Sequence, residues 1–174
     1  MHSRIFILQQ KDHSIPKDDE LTYYTLEDLF VPTEADYVVQ RPKDTWEDDL
    51  KWLGQCPIFT YKKDKRNNYY LIVNTAKIYE YFDKVYDQLT DIFQQLKVSN
   101  IINPFDTLVY KLKNLLDDPY SFRFIIHVYG SYPEWYSLQE FLRHLVYPNF
   151  IKNNSDSVPK ELVFKLESIY DYHI

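Results

Sequence analysis

Glycine is nearly absent: Gly54 and Gly130 are the only two in 174 residues, against an ordinary usage of about 7%. Loops that cradle phosphate need glycine, because backbone N–H groups must approach the anion with no Cβ in the way. The chain holds no G-x-G-x-x-G, no G-x-x-x-x-G-K-[ST] and no G-x-S-x-G. Dinucleotide-binding, P-loop and nucleophile-elbow chemistry are thereby removed in their usual forms. Cysteine is equally scarce. A single Cys56 excludes an intrachain disulfide and a thiolate metal cage, and it fits a reducing compartment. Long apolar runs are missing too. The first ten residues carry one arginine and only the four-residue run Ile5–Leu8, too short for a signal-peptide core or a membrane span. The expectation is a cytoplasmic chain with no membrane association.

Basic excess is also lacking, and the net charge is −6. Residues 1–57 carry twelve acidic and six basic side chains, whereas residues 58–174 carry fourteen of each. The whole acidic surplus thus lies in the first third. A general nucleic-acid binder would carry a basic footprint instead. An acidic face suits a basic partner or simply maintains solubility.

What the chain has in abundance is aromatic side chains: 17 Tyr, 11 Phe and 3 Trp. Tyrosine needs a partner for its hydroxyl, so it favours the boundary between apolar and wet surroundings. Codon bias in an AT-rich genome would give the same enrichment. A binding surface would use it, since interfaces favour Tyr and Trp.

Ile5–Leu8 reads as a strand apolar on both faces, hence central. Residues 25–30 suggest a short helix and residues 36–40 a brief strand. Asp44 or Thr45 is placed to cap a helix ending at Gly54. Residues 58–61 and 69–73 form a hairpin whose polar turn, lacking glycine, calls for an Asn in the left-handed conformation. A long amphipathic helix spans about 75–97, with Ile78, Phe82, Val85, Leu89, Ile92 and Leu96 on one stripe. Tyr79, Tyr86 and Phe93 make a second stripe beside it, widening the face expected to pack on a sheet. A coiled-coil dimer is the alternative, and the oligomeric state stays open. Further helices are expected over 104–116, 133–146 and 159–170, with a strand over 122–129. The fold class predicted is α+β: one domain, 1–174, with a small, mainly antiparallel sheet of about four strands covered by helices.

Candidate chemistry is sparse. The five histidines, His2, His13, His127, His144 and His173, form no H-x-x-x-H or H-E-x-x-H pair, so no metal site is expected. No cofactor is implied either, and no catalytic set can be named. His127, mid-strand in an apolar run, suits a buried base oriented by a tyrosine or carboxylate. The junction Tyr129–Tyr136 sets Ser131 and Trp135 where a strand gives way to a helix, a favoured place for ligands. Lys62, Lys63, Lys65 and Arg66 make a basic hairpin tip, a weak sign of nucleic-acid contact against the acidic whole. Glu47, Asp48 and Asp49, with Trp46 and Trp52, form the densest acidic and aromatic group.

Two functions follow as expectations. The first is a non-enzymatic cytosolic interaction protein, binding a more basic protein partner through an acidic, aromatic surface at Trp46, Glu47, Asp48, Asp49 and Trp52. The alternative is a small enzyme or ligand-binding domain with its site near residues 127–136, using His127, Tyr129, Ser131 and Trp135.

Overall fold

The computed structural model describes residues 2–10, 26, 28, 31, 36–98, 107–112, 115, 122–127, 134–151 and 159–173. Its frame is one seven-stranded sheet. The strands are β1 (His2–Gln10), β2 (Tyr37–Gln40), β3 (Phe59–Lys63), β4 (Tyr69–Asn74), β5 (Arg123–His127), β6 (Trp135–Ser137) and β7 (Glu161–His173). Six follow the order β3-β4-β7-β1-β5-β6, and β2 pairs with β7 beside that path. The helices are α1 (Trp46–Leu53), α2 (Thr75–Val98) and α3 (Leu138–Ile151), with helical turns also at 107–112 and a 3₁₀ turn, Lys43–Thr45, leading into α1.

The class is α+β, but the small antiparallel sheet of about four strands is overturned. The sheet is larger and mixed, because β1 pairs parallel with β5 while β7 runs antiparallel to β1, β2 and β4. The largest single difference is β7, which occupies the segment expected as a helix over 159–170. Leu162, Phe164 and Leu166 keep the two-residue period of a strand, but the next apolar residue, Ile169, comes three later. The cause is a β-bulge. Ile7 pairs with Ser168 and Leu8 with Leu166, so Glu167 is an extra residue with no partner on β1. One inserted residue turns a spacing of two into three, so Leu162, Leu166 and Ile169 stand four and three apart and imitate helical periodicity.

The sheet has two apolar faces. Phe6, Leu8, Phe124, Phe164 and Leu166 face a core completed by Trp46, Leu50, Ile78, Phe141 and Leu142 from the helices. The alternate residues Ile5, Ile7, Ile125, Tyr170 and Tyr172 form a second cluster with Leu26 and Val38. This alternation is the strand period, and it explains why Ile5–Leu8 is apolar throughout: β1 is central and buried on both sides.

The hairpin forms as expected, and Asn67 takes the left-handed conformation, φ 59°. Asp64 organises the turn by accepting hydrogen bonds from Arg66 N at 2.8 Å, Asn68 N at 2.9 Å and Asn68 Nδ2 at 2.9 Å. Those from Asn68 do most to hold its carboxyl below the usual range. The long helix runs Thr75–Val98, close to the range expected.

Helix starts differ more. No side-chain hydrogen bond caps α1; Thr45 Oγ1 instead donates to Pro42 O at 2.8 Å. The helix expected from Pro133 begins only at Leu138, after strand β6. Ser137 and Glu140 form a capping box there: Ser137 N and Oγ donate to Glu140 Oε2 at 2.9 and 2.8 Å, satisfying groups the helix start leaves over.

Candidate functional site

The acidic group of α1 divides by helical geometry, since successive residues diverge by about 100°. Asp49 points inward and is 3% exposed. It accepts from Arg4 Nε at 2.6 Å and Arg41 Nε at 3.1 Å. Arg4 also reaches Asp171 on β7 and lies 5.2 Å from the centroid of the Trp52 ring. Asp49 therefore ties α1 to the sheet. Trp46 is buried, its Nε1 donating to Arg41 O at 3.1 Å, and Trp52 packs edge-on against Phe122. Glu47 sits at the surface with Lys63 and Tyr69, whose hydrogen bonds hold its carboxyl below the usual range. Asp48 is exposed beside Lys51. The five residues are thus split between core and surface.

The hairpin tip is likewise divided. Lys63 pairs with Glu47, and Lys62 lies over the Tyr70 ring. Lys65 and Arg66 are exposed.

His127 is buried, and its Nδ1 lies 2.8 Å from Glu167 Oε2. The two residues sit on strands that flank β1, about 10 Å apart, so their side chains meet over the strand between. The bulge makes this possible by re-aiming the extra residue. Trp135 is half-buried on β6, stacked with the Arg123 guanidinium 5.1 Å from its ring centroid. Tyr129 and Ser131 lie outside the described residues. Of the two partners expected for His127, a tyrosine or a carboxylate, the structure places a carboxylate, and Glu167 was not among the residues singled out. Its only sequence signal is the break in alternation between Leu166 and Ile169.

On α2 the expected wide packing face is only half used. Ile78 and Ile92 are buried, and Phe82, Val85 and Leu89 are partly so. The neighbouring stripe faces outward: Tyr79 is 38% exposed, Tyr86 70% and Phe93 51%. At about 100° per residue the three rings fall within an arc of about 40°. Asp83, Asp87, Glu80 and Asp91 follow on the side away from the core, with Lys77 and Lys84 beyond. Glu80, Asp83 and Asp87 enter no ion pair among the described residues, and Asp91 accepts only from Gln95, at 2.7 Å. The stripe is about 21 Å long, from a rise of 1.5 Å per residue.

Among the described residues no group of three or more His, Cys, Asp or Glu is placed to hold a metal ion, and no helix is long and apolar enough to cross a membrane. Compared with protein families, curated proteins and solved structures, the chain matches no family model, no curated protein and no solved structure.

Proposed function

We propose that the chain is a cytosolic, non-enzymatic interaction protein that docks a basic amphipathic segment of another protein along the outer face of α2. One observation carries this reading: a row of exposed aromatic rings borders acids that enter no ion pair among the described residues. Like charges one turn apart, as at Asp83 and Asp87 or Asp87 and Asp91, disfavour a helix. A cationic partner would relieve that repulsion. Apolar side chains of the segment would cover Tyr79, Tyr86 and Phe93, and its Lys or Arg residues would reach Glu80, Asp83 and Asp87. Charge would speed encounter and the rings would supply affinity. The acids of α1 are a weaker choice, because Asp49 is internal and Glu47 and Asp48 each have a cation at hand.

The test uses synthetic basic amphipathic helices of 15–20 residues as probes, with binding read by fluorescence anisotropy. Tyr86→Ala with Phe93→Ala should weaken binding about tenfold or more, the size of a modest hot spot. Asp83→Lys with Asp87→Lys should abolish the salt dependence. Equal binding by wild type and both variants would end the idea. Salt-promoted dimerisation of the chain alone, lost in the aromatic variant, would give the stripe to a second copy instead.

A further inference from the structure

Strands β4 and β2 both pair with the same edge of β7, but not continuously. β4 covers Glu161–Lys165 and β2 covers Tyr170–His173. Between them no described strand borders that edge, and among the described residues the backbone there is met by Arg41 N, which donates to Ile169 O at 2.8 Å. A cavity of about 380 Å³ opens at this gap, beside the bulge. That volume lies within the range of small-molecule sites, about 300–1,000 Å³.

The lining is polar, and its parts complement one another. Lys165 and Lys43 bring two basic side chains, the Lys43 ammonium lying 5.6 Å from the centroid of the Trp46 ring. Gln40 brings an amide, whereas the Asn68 amide is bonded to Asp64 at 2.9 Å. Lys165 enters no ion pair among the described residues. Ser168 is 8% exposed and lines the cavity, and its hydroxyl makes no hydrogen bond within the described chain. Buried hydroxyls are nearly always bonded, so this one is placed for a group from outside the chain. Glu167 completes the wall as an acceptor, its carboxylate anchored from behind by His127. Two cations with a fixed carboxylate select a ligand that has an anionic end and hydroxyl donors. Lysine binds phosphate as a point charge, without the planar fork that arginine offers carboxylates.

We infer that the gap beside the β7 bulge is a binding site for a small hydroxylated phosphate monoester, of the size of a sugar phosphate. Lys165 and Lys43 hold the phosphate, Ser168 donates to it, and Glu167 accepts from a hydroxyl of the ligand body. The site is separate from the α2 face and stands or falls without it.

The experiment is an amide-resolved NMR titration of the full chain. The probes are ribose 5-phosphate, glucose 6-phosphate and glycerol 3-phosphate, with inorganic phosphate, ribose and gluconate beside them. At least one phosphate monoester should saturate at millimolar concentration or below, with shifts centred on residues 165–168 and the 40–43 turn. Lys165→Met should weaken that binding tenfold or more. Glu167→Gln should weaken the monoester but leave inorganic phosphate unchanged, a split that mere loss of structure would not give. Circular dichroism verifies that both variants fold. If no monoester binds, or binding survives Lys165→Met, the inference is overturned. Tighter binding of gluconate than of every monoester would overturn the phosphate assignment.

Discussion

Replacing Asp49 by Asn should cost far more stability than the same change at the neighbouring Asp48. The substitution keeps size and shape but removes the charge that two guanidinium groups share. Breaking a buried ion pair by removing one partner typically costs about 3–5 kcal/mol, because the other charge is left uncompensated. Here the penalty should fall near the lower end, about 3 kcal/mol. Arg4 keeps Asp171, and Arg41 is 28% exposed, so water can take part of its charge. For a chain of this length each kcal/mol moves the melting midpoint by about 2–4 °C, so a fall of roughly 6–12 °C is expected. Scanning calorimetry of Asp49→Asn beside Asp48→Asn measures it directly. Asp48 is 81% exposed, and its variant should melt with the wild type. If Asp49→Asn also melts within about 2 °C of the wild type, the arginine pair is not held by this carboxylate and the argument fails. Restoring apolar packing with Asp49→Leu, Arg4→Met and Arg41→Met together should recover part of the loss, as replacement of a whole buried ionic group often does.

Further outcomes can be stated briefly. Ser137→Ala should destabilise by about 1 kcal/mol through loss of the α3 cap, seen as a lower urea midpoint at constant slope. Backbone and side-chain hydrogen bonds from Ser137 hold the Glu140 carboxyl below its usual range, so its contribution is present above the unfolded value of about 4.3 and disappears as pH falls through the depressed native one. Glu140→Gln should therefore be less stable than wild type at pH 7 and converge with it in acid; a gap that widens in acid would contradict the sign. Asn67→Ala should cost about 1 kcal/mol and Asn67→Gly very little, since only the former strains a left-handed turn. Deleting Glu167 should straighten β7, remove the partner of His127 and shift the imidazole resonances of that residue; unchanged resonances would deny the pair.

Elements whose periodicity is local were legible. The hairpin, the long helix and the centrality of β1 follow from alternation, a polar turn and an apolar run. The strand β6 has three residues, too few to show a period, and its Trp135 and Tyr136 read as the start of a helix. β7 failed for the opposite reason: the bulge gave it a misleading period. Parallel pairing of β1 with β5 joins segments more than a hundred residues apart, and such non-local contacts leave no trace in one sequence. The candidate sites were legible by composition and not by placement. His127 was noticed because it interrupts an apolar run, but Glu167 lay in what read as a helix. The acids of α1 were noticed for their density, though density says nothing about which carboxylate turns inward. The outer stripe of α2 was visible as a stripe; its exposure was not, because width alone does not tell how much of a face the sheet can cover.

The position of β7 in the chain sets the order in which the protein can be assembled. It is the last of the seven strands to be synthesised, yet it is the one that joins the others. Before it emerges, β3 with β4 and β1 with β5 and β6 are separate ribbons, and β2 has no described partner. Each ribbon presents an unpaired edge where β7 will lie, a feature prone to aggregation. A chain halted before Glu161 therefore has its strands in three pieces that no hydrogen-bonded strand joins. The sheet becomes continuous in a single closing step, when β7 slides between two waiting edges.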